Sequence, residues 1–82
     1  MYPRSEAAYY NRGVAKYNLK DYRGAIVDYT EAIQINSNYA KSYSNRGIVL
    51  KTVGDLKGAC KDWKKAAALG DTSLIEWIRK QC

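Results

Sequence analysis

The sequence predicts an all-α fold in which antiparallel helix pairs stack side by side as an α-α solenoid of five helices. The first observation is an internal period of 34 residues, which carries Asn11-Arg12-Gly13 onto Asn45-Arg46-Gly47. The second is that apolar residues between turn signals recur at helical spacing. The third is that a further step of the same period places Trp77 where Tyr9 and Tyr43 stand. A fixed period with preserved glycine, alanine and aromatic positions is typical of a repeat architecture.

The repeating unit is longer than this short motif, because the residues that follow the motif also return in step. Acidic, glycine and alanine positions are retained, and Tyr29 returns as Trp63. The retained residues are Asp21, Gly24, Ala25, Asp28 and Ala32, which recur as Asp55, Gly58, Ala59, Asp62 and Ala66.

The first helix pair is predicted over residues 6–18 and 22–35. Ser5 and Asp21 precede these segments and are residue types that cap helix N-termini. Gly13 lies in mid-helix, where glycine costs roughly 1 kcal/mol relative to alanine. That cost is understandable if another helix approaches closely at Gly13. The second helix carries an apolar stripe that mixes small and large residues, which suits the interlocking of two close helices.

The second pair follows the same plan and is predicted over residues 39–52 and 56–69. Between its helices, Gly54 suits a left-handed C-cap and Asp55 suits an N-cap. Gly47 repeats the mid-helix glycine, and Gly70 is expected to end the fourth helix.

The last segment is a half repeat. Ser73 and Glu76 match a capping box, in which each side chain satisfies the other residue's open amide. Leu74, Trp77 and Ile78 form one apolar face. A lone helix at the end of a stack covers the otherwise exposed apolar edge of the last pair.

Composition limits the class of partner and of chemistry. The chain has 82 residues and a net charge of +6, with five basic and four acidic residues in 1–38 but nine basic and four acidic residues in 39–82. The second half should therefore attract acidic partners, unless its charge only keeps the protein in solution. No apolar run is long enough to span a membrane. Without a histidine or a phosphate-binding loop, the sequence predicts no catalytic residues, metal or cofactor.

With these residues in view, the chain resembles the tetratricopeptide repeat family. The resemblance divides residues 1–82, as a single domain, into a repeat over 6–39, a repeat over 40–73 and a capping helix over 74–82. It implies a right-handed superhelical array. It also implies structural roles for Tyr9, Gly13, Ala25, Tyr29, Ala32, Tyr43, Gly47, Ala59, Trp63, Ala66 and Trp77. Arg12 and Arg46 depart from the family's leucine, and we expect their aliphatic stems to pack while their guanidinium groups stay in water.

The resemblance further implies a concave groove, lined by the first helix of each pair, that binds a peptide segment of a partner protein. Helical spacing assigns that face to Tyr10, Asn11, Val14, Tyr17, Asn18, Lys41, Ser44, Asn45, Ile48, Lys51, Thr52 and Arg79. Asparagine can both donate to and accept from a peptide backbone, and tyrosine offers a flat apolar surface with a polar tip. The basic members could attract a carboxylate, so an acidic peptide is the expected partner.

Other functions stay open. The face assigned to the groove could belong to a structural spacer, and two repeats are few for a stable array, so the chain could self-associate into a homo-oligomer. RNA binding is less favoured, because the basic residues are scattered over both helix faces and do not form a stripe.

Cys60 and Cys82 leave two alternatives. Cys60 replaces Ile26 of the first repeat and should be a buried thiol, whereas Cys82 ends the helix that packs across it. A disulfide between them would pin the capping helix to the second repeat and contribute roughly 3 kcal/mol. Met1–Ser5 lacks the apolar core of a signal peptide, which says little about the compartment. The compartment stays unknown; the cytoplasm is favoured over others, and a bridge between the two cysteines would indicate an oxidising compartment.

Overall fold

A computed structural model describes residues 5–82 and builds them from five α-helices. These helices are α1 (Glu6–Asn18), α2 (Tyr22–Ile35), α3 (Ala40–Thr52), α4 (Leu56–Ala68) and α5 (Ile75–Gln81). Each helix packs against the next along the chain, and α1 also contacts α3. The described part of the chain contains no strand, and none of its helices is long and apolar enough to cross a membrane. The predicted all-α solenoid is confirmed.

Helix ends follow the predicted local signals. Ser5 accepts a hydrogen bond from the Ala8 amide at 3.4 Å, and Asp21 accepts one from the Gly24 amide at 3.0 Å. Asp55 caps α4 in the same way, through the Gly58 amide at 2.9 Å. These side chains satisfy amides that the first turn of a helix leaves open.

The turns between paired helices need a residue in the left-handed conformation. Gly54 provides it with φ of 95°, and Gly70 ends α4 with φ of 104°. One period earlier than Gly54 stands Lys20, which adopts the same region with φ of 63°. A side chain makes this conformation unfavourable, so Lys20 strains the backbone of the first turn, whereas Gly54 does not strain the second.

The mid-helix glycines permit the close helix contacts that the sequence predicts. A Cβ atom added to Gly13 would lie 2.7 Å from the Tyr29 ring, and one added to Gly47 would lie 2.5 Å from the Trp63 ring. Both aromatic rings are fully buried between the paired helices. Each glycine therefore holds the place where an aromatic side chain of the following helix packs.

The core follows the residues predicted as structural, with two of them nearer the surface. Tyr9 is half-buried, and Trp77 is 38% exposed while it packs edge-on against Trp63 with ring centroids 5.4 Å apart. The buried hydrophobic residues are Ala25, Tyr29, Ala32, Tyr43, Val49, Ala59, Trp63 and Ala66.

The prediction for the two recurring arginines did not include their ion pairs, and it is wrong for Arg46, whose guanidinium group is largely covered. Arg46 donates from Nε and Nη2 to the two carboxylate oxygens of Asp62 at 2.7 and 2.8 Å, and its side chain is only 21% exposed. Arg12 forms the same two bonds with Asp28, both at 2.8 Å. Each guanidinium group therefore bonds to a carboxylate and not only to water. A buried carboxylate needs a partner of opposite charge, and this two-bond geometry provides one.

The predicted capping box is also wrong. α5 begins at Ile75, and no side chain caps it. Ser73 instead donates its hydroxyl to Asp71 at 2.6 Å, and the Ser73 amide bonds to the same carboxylate at 3.0 Å. Asp71 therefore binds the Ser73 hydroxyl that a capping box needs, since aspartate can bond the backbone two residues on.

The cysteines form a disulfide, which is one of the two alternatives that the sequence left open. Cys60 and Cys82 are joined with their Cα atoms 5.8 Å apart. Cys60 is half-buried rather than buried. The bridge ties the residue that follows α5 to the first half of α4.

Candidate groove between the first and third helices

Side chains from α1 and α3 converge on one small cavity. The cavity has a volume of about 90 Å³, and four residues of the predicted groove line it, namely Val14, Tyr17, Asn45 and Ile48. Tyr29 and Val49 complete the lining from the core. The four predicted residues are half-buried, so each offers part of its side chain to solvent and part to the protein.

Asn45 and Tyr10 connect the two helices by a hydrogen bond. The Asn45 amide nitrogen donates to the Tyr10 hydroxyl at 2.9 Å. The Tyr10 ring packs against those of Tyr29 and Tyr39, with ring centroids 5.7 and 5.6 Å away. Burial raises the pKa of Tyr29, partly opposed by a hydrogen bond from Asn45. The two polar groups at the centre of the face are thus already oriented by the protein.

Four other predicted groove residues lie exposed along the same two helices. Asn11, Asn18 and Lys41 are exposed on α1 and α3. Thr52 is exposed too, but its hydroxyl donates to the Ile48 carbonyl of its own helix at 2.9 Å. Asn11, Asn18 and Lys41 are therefore accessible to a ligand, whereas the Thr52 hydroxyl already donates its hydrogen within α3.

Two of the cations expected to receive a carboxylate already have partners. The Lys51 ammonium lies 4.4 Å from the centre of the Trp77 ring, within the range of a cation–π contact. Arg79 lies 3.5 Å from Glu76 on the same helix, and both side chains are largely exposed. Exposed pairs of this kind contribute little, so both cations can still turn toward a ligand.

Ser44 departs from the prediction because its side chain points away from the groove. It is buried and donates its hydroxyl to Asp71 in the segment before α5. Hydrogen bonds from Ser44 and Ser73 lower the pKa of Asp71. Ser44 thus fixes the approach to α5 and does not add a contact surface for a peptide.

Sequence reasoning missed the two core residues of the cavity wall for different reasons. Tyr29 was predicted as structural, and it fills that role while one side faces the cavity. Val49 corresponds to the exposed Ala15 one period earlier, so the repeat gave no signal for it. Within residues 5–82, no group of three or more acidic, cysteine or histidine side chains could hold a metal ion.

Comparison with known proteins addresses the first helix pair. A family model described as "Tetratricopeptide repeat" matches residues 6–39, which covers α1, α2 and the turn that follows. No curated protein matched the chain.

Proposed function

We propose that this chain, which belongs to the tetratricopeptide repeat family through residues 6–39, binds a peptide segment of a partner protein between α1 and α3. Its five helices fit such repeats with a capping helix. The family consists of protein–protein interaction modules that are typically not enzymes. The proposed site is the face that carries Val14, Tyr17, Asn45 and Ile48, with Asn11 and Asn18 beside it.

The observation that carries the proposal is the convergence of these four side chains on one solvent-accessible cavity. An apolar depression beside oriented polar groups is the usual composition of a binding site. The hydrogen bond from Asn45 to Tyr10 fixes both groups before a ligand arrives, which lowers the entropy that binding must overcome. The Asn45 amide also carries an oxygen, which can accept from a peptide amide.

The partner that fits best is a peptide with an apolar side chain for the cavity and acidic groups toward α3 and α5. Lys41, Lys51 and Arg79 supply the positive charge on that side. Because Lys51 and Arg79 already make weak contacts, we expect acidic residues to increase the association rate and selectivity more than the affinity.

The test uses two matched variants. Val14→Lys introduces a charge at the cavity, and Val27→Lys introduces the same charge on α2, where Val27 is 59% exposed. A pool of acidic peptides is titrated into the isotopically labelled protein, and amide chemical shifts are recorded. We expect shifts along α1 and α3 that Val14→Lys abolishes and Val27→Lys preserves. Shifts confined to α2 and α4, or equal loss in both variants, would contradict groove binding.

Self-assembly is the alternative proposal, and one feature of α1 bears on it. Arg12 has a 59% exposed side chain, whereas its counterpart Arg46 is 21% exposed and also donates to Thr30 of the preceding helix at 3.2 Å. A further helix pair could cover Arg12 in the same way. A second copy is a poor candidate, because α5 already occupies the place on α4 that α1 of that copy would take. Sedimentation across a concentration range separates assembly from a monomeric binder.

RNA binding is less well supported. Its test is retardation of a single-stranded RNA at near-physiological salt, where contacts that depend only on charge weaken strongly. Retention of the RNA at that salt concentration would favour RNA over a peptide.

A further inference from the structure

A second cavity lies on the outer side of α4, and it shares no lining residue with the groove. Its volume is about 540 Å³. Its lining comes only from α4 and from the end of the chain beside it, namely Leu56, Lys57, Cys60, Lys61, Lys64, Gln81 and Cys82. The cavity is broadly open to solvent, and its volume lies within the range of clefts that bind small ligands.

The lining combines an apolar surface with uncompensated positive charge. Leu56 is 40% exposed, and the disulfide adds further apolar surface beside it. Lys57, Lys61 and Lys64 follow one another at helical spacing on one face of α4, and all three are exposed. None of the three forms an ion pair with any residue of the described chain. Part of the excess positive charge of the second half of the chain therefore lies at this cavity.

We propose that this cavity is a second docking site, which takes an acidic peptide segment by inserting one of its apolar side chains between the three lysines. Charge complementarity identifies the occupant. Carboxylates of the peptide would face the ammonium groups, while its apolar side chain would contact Leu56 and the disulfide. Like-charge repulsion disfavours a second copy of this chain, whose net charge is +6.

Two other anionic partners fit the lining less well. Single-stranded RNA is held by aromatic stacking surfaces, and no lining residue is aromatic. A membrane surface needs a broad apolar face to insert, whereas Leu56 is the only large aliphatic side chain among the lining residues.

The disulfide makes this site depend on oxidation. Gln81 and Cys82 form one wall, and the Cys60–Cys82 bond holds them beside α4. Reduction would leave that wall attached only through the packing of a seven-residue helix. Helices this short are marginal without tertiary support. The docking site therefore exists fully only in the oxidised protein.

The experiment uses fluorescence anisotropy with a short labelled peptide of alternating glutamate and leucine. A matched peptide with glutamine for glutamate, anionic phosphatidylserine vesicles and a single-stranded RNA serve as competing probes. We compare Lys57→Gln/Lys64→Gln with Lys20→Gln/Arg23→Gln, which removes the same charge from a region outside the cavity. We expect the first variant to weaken binding about tenfold and the second to weaken it about twofold.

Three outcomes overturn the proposal: equal weakening in both double variants, equal binding of the glutamine peptide, or stronger binding of vesicles or RNA than of the acidic peptide. Cys82→Ser should weaken binding at least about fivefold while circular dichroism shows that α1–α4 stay folded. Unchanged binding by Cys82→Ser would refute the dependence on oxidation. Each measurement is repeated in the Val14→Lys background, in which the groove is blocked, so that the remaining binding reports this cavity and the two sites can fail independently.

Discussion

Replacing Arg46 with leucine tests whether the recurring arginine–aspartate pairs stabilise the helix pairs. Leucine is the residue that the tetratricopeptide repeat pattern carries there, so the change keeps an aliphatic side chain and removes the guanidinium group with its bonds to Asp62 and Thr30. In this protein, however, it leaves the Asp62 carboxylate only 4% exposed and without its two guanidinium hydrogen bonds. Removing one partner of a buried ion pair leaves an uncompensated charge, which costs about 3 kcal/mol or more.

The partial exposure of Arg46 reduces this cost, so we expect Arg46→Leu to lower the free energy of unfolding by about 2 to 3 kcal/mol. A domain of this size has a total stability of roughly 4 to 12 kcal/mol. Urea denaturation followed by circular dichroism measures the change without adding salt that would screen the pair. With a slope of about 1 kcal/mol per molar urea, the midpoint should fall by about 2 to 3 M.

The comparison that isolates the pair is a double-mutant cycle with Asp62→Leu. Removing both charges should recover much of the loss, because an apolar pair of similar volume can replace a buried ion pair. Arg12→Leu should cost less than Arg46→Leu, since Lys16 lies 3.2 Å from the same Asp28 oxygen and remains as a partner. The reasoning is refuted if Arg46→Leu is as stable as the wild type, or if the two substitutions in the cycle are simply additive.

Three further predictions concern the first turn, the disulfide and acid stability. Lys20→Gly should raise the free energy of unfolding by about 0.5 kcal/mol, because relief of the left-handed strain exceeds the entropy that glycine adds to the unfolded chain. Gly54→Ala should lower the free energy of unfolding, because alanine is strained at that positive φ. Thermal denaturation of both variants checks that the two changes in stability have opposite signs. Reduction of the Cys60–Cys82 bond should cost about 3 kcal/mol in the chain-entropy estimate and detach α5, which tryptophan fluorescence would report; unchanged melting in reductant would contradict it. The Arg12 hydrogen bond lowers the pKa of Asp28 below its unfolded value. The stabilisation that the Asp28 carboxylate contributes should therefore be complete above about pH 4 and be lost as the pH falls through the lower folded pKa. Asp28→Asn should flatten that part of the curve of stability against pH, and an unchanged acid transition would exclude this carboxylate as its cause.

Helix number, helix bounds and the close contacts could be predicted because local sequence determines them. Capping residues, turn glycines and the 34-residue period each act within a few residues or repeat without change. Gly13 and Gly47 were the clearest signal of a close contact, since a mid-helix glycine is unfavourable unless a side chain of another helix packs where its own side chain would be. These features depend little on how the helices are rotated in the assembled fold.

The ion pairs could also have been found from sequence. Arg12 and Asp28 are 16 residues apart, as are Arg46 and Asp62, and all four lie on helices predicted to pack. Opposite charges that recur together at one separation predict a pair as directly as recurring glycines predict a contact. The capping box failed for the reverse reason. Its motif considered only Ser73 and Glu76, whereas the nearby Asp71 competed for the same hydroxyl.

The groove was harder to predict because neighbouring residues on one helix face different partners. Ser44 and Asn45 are consecutive, and successive residues point about 100° apart around a helix. Ser44 turns toward Asp71 before α5, while Asn45 turns toward Tyr10 on α1. That rotation is set by the packing of α3 among its neighbours and not by the apolar pattern of α3 itself. The same reasoning separates the two kinds of positive charge: Lys51 lies over Trp77 near the groove, whereas Lys57, Lys61 and Lys64 line the outer cavity on α4. We therefore expect acidic partners, which the net charge alone suggests, to be attracted more to the outer cavity than to the groove, and the two pairs of matched variants can separate these contributions.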